Sequence, residues 1–509
     1  MKLDPVLLAQ RLVAQPSVTG DSASENRMAD LIAEELATIG LEPGFWPTAD
    51  GRKSVWALHR GGAGKELWVL TSHFDTVGIG DYAGIPGGDA FHPDTLVEPF
   101  ATGRYGREVA DDAKSGRYLF GRGGLDMKSG IAAQIAALAS RPGANVLFLS
   151  CPDEEAASAG ILSALPQVKA LADAEGLSLC GVLNSDYTAP RFPGDENKYL
   201  YLGSVGKLLP MFLIGGIETH VGEPYRGLDA CAIAAELVSL IDLNPDLCDK
   251  VGDEISVPPV TLCLRDLKPT YDVQTAFEAY AYCNLMTYSR GPGDALAALK
   301  AVAEEAVQRV LERRSESLAR HSSEAERETP PELRPKVLLY QDLPAEAREA
   351  AMAAVMAHAE GEPDHRDISL AVARAAVERS RIEWPFVLIL LAPPYYPHVH
   401  VRDMAFRARM QSLGRRFGMC VRDFYPYISD VSYIGGATQP EHVAELASNT
   451  PQWKASRLGY TVPEVGLSGL GCPVANIGPW GKDAHGVTER VEMDSIHLTV
   501  DVLLAALEP

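Results

Sequence analysis

The sequence predicts an α/β protein with a mostly parallel sheet flanked by helices, interrupted by an inserted α+β domain. Three observations carry this. Short apolar runs alternate with helically spaced segments through the first two hundred residues. A block rich in helical patterns and charge occupies the middle, and the alternating pattern resumes toward the C-terminus. At 509 residues the chain is too long for one hydrophobic core, so two domains, or three, are expected.

Ser22 followed by Glu25 makes a capping-box pattern, and apolar spacing up to Ile39, closed by Gly40, predicts a helix over about 24–39. Strand-like runs follow at 55–58, 67–70, 146–149 and 179–183, with helical stretches after Met127 and after Ala159. From 206 the character changes. Leu299, Val302, Ala306 and Val310 trace an amphipathic helix starting near Asp294, and a charged linker over 321–334 contains Glu328-Thr329-Pro330-Pro331. Segments 345–358 and 368–376 read as two more helices. They precede an apolar strand at 386–391 and the turn-rich Pro393-Pro394-Tyr395-Tyr396-Pro397. The expected boundaries are 1–205 for the first part of the main domain, 206–395 for the insert and 396–509 for the second part. Nothing repeats at a fixed period.

Composition excludes several classes. A formal net charge of -22 would repel a phosphate backbone, which argues against nucleic acid as a partner. No apolar run reaches the roughly 18 residues that span a bilayer, so no membrane partner is expected. Met1-Lys2-Leu3-Asp4-Pro5 places an acid and a proline where a secretory signal carries its apolar stretch. The eight cysteines form no C-x-x-C pair, which fits reduced thiols in a cytoplasmic protein. Cys151, near an acidic pair, reads as the end of a buried strand.

Four segments concentrate imidazoles and carboxylates: Ser72-His73-Phe74-Asp75, Gly124-Leu125-Asp126-Met127-Lys128-Ser129-Gly130, Pro152-Asp153-Glu154-Glu155 and Gly481-Lys482-Asp483-Ala484-His485-Gly486. In open α/β sheets, ligands bind beyond the carboxyl ends of the strands. His73 and Asp75 follow one predicted strand, Glu154 and Glu155 a second, and Asp186 a third, while Asp126 follows the loop 121–124. Each has a plainer reading. His73 could be a strand-end histidine satisfied by a backbone carbonyl, Asp153, Glu154 and Glu155 a solvated acidic turn, Asp126 a helix N-cap and His485 a loop histidine. What favours chemistry is the combination. A carboxylate two residues beyond His73 can hold its second ring nitrogen, as metal-bound histidines require. Mixed nitrogen and oxygen donors suit two Zn2+ ions, with Co2+ or Mn2+ as alternatives.

The joint set, in this order, resembles the zinc peptidase family that includes aminoacylase, acetylornithine deacetylase, succinyl-diaminopimelate desuccinylase and cytosolic dipeptidases. The resemblance implies a zinc-peptidase catalytic domain with an inserted α+β lid domain. It makes His73 and Asp186 ligands of one zinc, Glu155 and His485 ligands of the other, and Asp126 the bridge. Asp75 becomes the orienting carboxylate and Glu154 the general base. These roles agree with the physics: two cations roughly 3.5–4 Å apart acidify a shared water and polarise a carbonyl, while a free glutamate carries the proton.

Glu218-Thr219-His220-Val221-Gly222-Glu223-Pro224, with Gly227 and Ala230, resembles that family's lid motif H-x-x-x-P-x-x-G-x-x-A. His220 would stabilise the substrate oxyanion, in its own chain or across a homodimer formed through the lid; the plainer reading is a helix-entry histidine. Gly203-Ser204-Val205-Gly206-Lys207-Leu208-Leu209-Pro210, Pro394-Tyr395-Tyr396-Pro397-His398, Tyr425-Pro426-Tyr427-Ile428-Ser429-Asp430 and the run 477–485 are similar to the arginine-utilisation (RocB-type) amino-acid-degradation branch. A small N-acyl amino acid or dipeptide-like substrate is implied.

Two departures stand out. The insert is longer than the usual lid, and the expected substrate-carboxylate anchors lack their flanking pattern. Asn284, Arg290, Arg226, Tyr427 and Ser429 are the candidates that remain. No phosphate loop, G-x-S-x-G elbow or H-E-x-x-H is present. The alternative to an amidohydrolase is a non-hydrolytic family member that keeps the metal site as a binding or regulatory module, although retention of Glu154 with every ligand counts against it.

Overall fold

The apolar runs expected as strands become Lys53–Arg60, Glu66–His73, Asn145–Cys151 and Ser178–Asn184 in the computed structural model. It describes residues 3–321, 332–359, 361, 363–436, 438–454, 460, 462 and 464–508. The expected linker over 321–334 lies largely outside these residues. Contacts divide the chain into one unit of Met1–Ser204, Val399–Ala437 and Pro463–Pro509, and a second of Val205–His398 and Thr438–Val462. Segment 438–462 thus groups with the insert. Within that second unit the backbone N–H of Tyr395 donates to the Tyr460 hydroxyl at 2.8 Å, and that of Gly293 donates to Glu445 at 2.8 Å.

The first unit is built on an eight-stranded sheet in the order Pro43–Pro47, Lys53–Arg60, Asn145–Cys151, Glu66–His73, Ser178–Asn184, Val474–Asn476, Tyr199–Leu202, Cys420–Arg422. The four strands from Asn145–Cys151 to Val474–Asn476 are mutually parallel, so their carboxyl ends share one edge. Asn145–Cys151 is buried along its whole length, as expected for a parallel strand covered on both faces. Helices Pro5–Ala14, Ser129–Ala139 and Met493–Ala506 pack against one another in this unit.

The expected helix near 24–39 is Ser22–Thr38, but its cap is Asp21, whose carboxylate accepts from the Ser24 N–H at 3.2 Å. Glu25 does not close a capping box. It turns inward to pair with Arg52 at 3.1 Å.

The second unit carries a five-stranded sheet in the order Val260–Asp266, Glu278–Thr287, Gly206–Gly215, Phe386–Tyr396, Lys336–Leu339, antiparallel except for its last pair. Leu209, Met211 and Leu213, alternate residues of one strand, join a core with Ala351, Ile368 and Val372 from helices Ala345–His358 and His365–Ser380. Helix Pro292–His321 buries Leu299, Ala306 and Val310 as expected. Val302 is only half-buried, and Ala303 and Val307 complete the stripe. Pro393-Pro394-Tyr395-Tyr396 is not a turn but the end of the long strand, which reaches past its parallel neighbour with an irregular register between Ala392 and Tyr396. Prolines are tolerated there because no ladder donor is required.

Candidate metal centre

His73 is the last residue of its strand and lies opposite Cys151, so the turn carrying Glu154 and Glu155 starts beside it. The intervening Phe74 is fully buried, and its N–H donates to the Cys151 carbonyl at 3.0 Å. Asp186 stands two residues beyond Ser178–Asn184, and its carbonyl accepts from Asn476 Nδ2 at 2.8 Å. A Cβ on Gly478 would lie 1.7 Å from that carbonyl oxygen, so only glycine lets the two loops approach.

Asp126 is not a helix N-cap. Its backbone is extended (φ -113°, ψ 99°) ahead of helix Ser129–Ala139, and its carboxylate is shared. One oxygen lies 3.0 Å from His73 Nε2 and the other 3.0 Å from His485 Nε2. Two groups of donors result, His73 with Asp126 and Asp186, and Asp126 with Glu155 and His485. His485 Nε2 is 3.1 Å from Glu155 Oε1. The His73 side is closed, whereas the His485 side chain is 49% exposed, so one flank is open to solvent.

The electrostatics follow from crowding the carboxylates of Asp75, Asp126, Glu154, Glu155 and Asp186 around two imidazoles. Burial pulls the His73 imidazole down, but Glu154, Asp126 and Asp75 outweigh it and hold it well above its ordinary value. Hydrogen bonds accepted by the Asp126 and Glu155 carboxylates lift His485 to about 10. Asp126 moves the other way: the two histidines overcome its burial and hold it well below the usual carboxylate range. Burial and repulsion by Asp126 push Asp186 up to about 8 and raise Glu155. Burial is also the main cause that holds Glu154 far above a normal glutamate, reinforced by Asp430, Glu155 and Asp186. Such a set of unneutralised acids fits divalent cations, with nitrogen and oxygen donors of the kind zinc accepts.

Asp75 does more than flank the histidine. His73 Nδ1 is 3.1 Å from the Asp75 backbone carbonyl and 3.5 Å from its carboxylate. The Asp75 carboxylate accepts the backbone N–H groups of Glu154 and Glu155, both at 3.1 Å, and the Thr19 hydroxyl at 2.9 Å. It therefore holds the glutamate turn as well as flanking the imidazole. Asp153 is structural: its carboxylate meets Arg52 at 2.6 Å and caps Ala159 N–H at 3.0 Å.

Three residues escaped the sequence reading. Asp430, buried and raised to about 7 chiefly by burial, is close enough to Glu154 to raise it in turn. Arg122 and Glu489 form a buried pair at 2.6 Å behind Asp126. Asp430 closes the 425–430 segment that carries the branch resemblance, and the sequence signal of the other two was proximity, inside the loop 121–124 and four residues beyond His485.

Tyr427 stacks on Tyr187, the residue after Asp186, with ring centroids 4.9 Å apart. Ser429 is buried and accepts from Asn184 Nδ2 at 3.4 Å. His220, Arg226, Asn284 and Arg290 belong to the second unit. There His220 is exposed, its Nδ1 accepting from Gly222 N–H at 3.0 Å, and Arg226 lies 3.5 Å from Glu223. Arg290 spends its guanidinium on the carbonyls of Leu247 and Cys248, at 2.9 and 3.0 Å, which leaves it a poor fork for a substrate carboxylate.

A donor set of this kind, on the carboxyl edge of an α/β sheet, defines a metal-dependent hydrolase. Residues 69–325 match the family described as Peptidase family M20/M25/M40. Protein YqjN of Bacillus subtilis (strain 168), itself described as uncharacterized, is 32% identical over 91% of this chain and 88% of its own length. Protein RocB of the same organism is 30% identical over 95% of this chain and 90% of its own. The chain belongs to peptidase family M20/M25/M40, in a branch with RocB and YqjN, and is a metal-dependent amidohydrolase of peptidase type. A solved tripeptidase from Staphylococcus aureus subsp. aureus Mu50 shares the fold, with a TM-score of 0.53 at 14% identity over 100% of this chain and 98% of that one. Among the described residues no helix is long and apolar enough to cross a membrane.

Proposed function

We propose that this chain is a di-zinc deacylase that cleaves the amide bond of an N-acyl amino acid or small peptide-like substrate in amino-acid catabolism, with arginine metabolism as its setting. The observation that carries the reading is the shared carboxylate of Asp126, one oxygen facing His73 and the other His485. His73 and Asp186 would hold one ion, Glu155 and His485 the other, and Asp126 would serve both, in keeping with the two donor groups. When bound, a pair of divalent cations would supply Lewis acidity to the amide carbonyl and lower the pKa of the attacking water. Zn2+ is our assignment, and Co2+ or Mn2+ would satisfy the same donors.

The remaining chemistry belongs to the chain. Glu154, buried and 3.9 Å from His73 Nε2, takes a proton from the attacking water as its oxygen bonds to the acyl carbon. It then delivers that proton to the amide nitrogen as the C–N bond breaks, and the products are a carboxylic acid and an amine. Asp75 fixes the turn from which Glu154 acts. His220 is assigned to the substrate carbonyl, within its own chain or from a second copy in a homodimer through the second unit. Arg226, Asn284, Tyr427 and Ser429 remain the candidates for gripping the rest of the substrate. All eight cysteines are free, which supports a reducing cytoplasm as the compartment.

Elemental analysis and hydrolysis of a panel of N-acyl amino acids and dipeptides test this reading. Two ions per chain and turnover of at least one substrate are expected, and Glu154→Gln should keep both ions while losing about 10²–10⁴-fold in kcat. Two ions with no turnover anywhere on the panel would instead favour a binding module.

A further inference from the structure

We infer that the buried Arg122–Glu489 pair is a positioning device for the half of the metal centre formed by Asp126, Glu155 and His485, and that it governs the ion of that half more than the other ion. The inference rests on the di-metal reading above and extends it to residues that touch neither substrate nor ion.

The two residues come from distant parts of the chain, yet both side chains are almost fully buried. Arg122 Nη1 meets Glu489 Oε2 at 2.6 Å. Each partner then grips one of the two loops that carry ligands. Glu489 Oε1 accepts the backbone N–H groups of Leu125 and Asp126, at 3.1 and 3.3 Å. Arg122 Nη2 donates to the carbonyl of His485 at 3.1 Å and pairs with Asp81 at 3.0 Å. One ion pair therefore cross-links the peptide groups of Asp126 and His485.

The need for such a link is local. Asp126 has extended backbone ahead of its helix, and His485 sits in the left-handed region with φ 64° on the exposed flank, so neither is held by a regular hydrogen-bond ladder. His73 ends a sheet strand, and Asp186, two residues past another, is held through its carbonyl by Asn476, so neither depends on this pair. Loosening the pair should release the Asp126 and His485 peptides together, which disturbs two of the three donors on the His485 side but only one, Asp126, on the His73 side. Supporting groups behind metal ligands typically cost 10–100-fold in metal affinity when altered.

The test uses the full chain stripped with chelator and titrated with Zn2+, and separately with Co2+, for the wild type, Glu489→Gln, Glu489→Asp and Arg122→Lys. Elemental analysis gives the stoichiometry, and Co2+ absorption gives stepwise affinities. Glu489→Gln keeps the shape but removes the charge, and Arg122→Lys keeps the charge but cannot reach both partners. Leu36→Ala, in helix Ser22–Thr38, is the control for general destabilisation. The expected result is an ion on the His485 side bound about 10–100-fold more weakly in Glu489→Gln and Arg122→Lys, with a clearly smaller loss for the ion on the His73 side, which shares only Asp126. Glu489→Asp should fall between these and the wild type, and Leu36→Ala should bind both ions normally. The inference is overturned if the variants hold both ions at wild-type affinity, if both ions weaken by the same factor, or if Leu36→Ala shows the same loss. Failure of the wild type to bind two ions would refute the underlying reading instead.

Discussion

The Asp75 carboxylate accepts the backbone N–H of Glu154 at 3.1 Å and with its other oxygen that of Glu155, also at 3.1 Å. One acid two residues past His73 thus sets the position of the proposed base and of a proposed ligand together. Asp75→Asn replaces an acceptor by an NH2 group that must face one of these N–H donors. A fall of about 10–100-fold in kcat is expected, with metal content reduced less than by loss of a ligand. Steady-state kinetics beside elemental analysis checks this, and unchanged kcat would remove Asp75 from the role.

His485 contacts both Asp126 and Glu155 but is the most exposed of the proposed ligands. His485→Ala should therefore leave one ion per chain, held by His73, Asp126 and Asp186. Chelation of the wild type should lower Tm, since a ligand present at a hundredfold over its Kd contributes about 2.7 kcal/mol. Two ions retained in His485→Ala would exclude the late histidine.

Gly478 admits Asp186 at close range, a Cβ there falling 1.7 Å from the Asp186 carbonyl oxygen. Gly478→Ala should cost about 1–3 kcal/mol of stability and displace Asp186. Denaturant unfolding together with metal titration would show both effects, and an unperturbed first ion would contradict the second.

Glu25 supplies a pH-dependent test away from the ligands. Burial pushes its carboxyl up to about 7, against the pull of Arg52. A carboxyl raised on folding holds its proton more tightly in the folded chain, so its contribution is complete below about 4.5 and is lost as the pH rises through 7. Glu25→Gln cannot titrate. The stability difference between variant and wild type should shift in the variant's favour by up to about 3 kcal/mol between pH 4.5 and 8, read from denaturant unfolding across that window. A pH-independent difference would show that Glu25 titrates normally.

Much of the site was legible from local pattern. An apolar run buried on both faces announces a strand, and a polar residue just past its end must project at the carboxyl edge. This is why His73, Glu154, Glu155 and Asp186 could be named from order alone. The cap at Asp21 was missed because Ser22 and Glu25 satisfy the same pattern, and only the presence of Arg52 across the unit draws Glu25 inward. Likewise Pro393-Pro394 reads as a turn until the strand is seen to outrun its neighbour.

By itself the sequence determined the long parallel strands of the first unit and several of the helices, that imidazoles and carboxylates cluster at strand ends, and that these side-chain types suit a hydrolytic metal centre. Only the tertiary structure decided that Asp126 divides its two oxygens between His73 and His485, that Asp75 serves the glutamate turn, and that Arg122 meets Glu489 across 367 positions of chain. The physical reason is range. Hydrophobic periodicity is written into neighbouring residues, whereas a hydrogen bond between distant loops depends on the full path of the backbone and leaves no periodic trace.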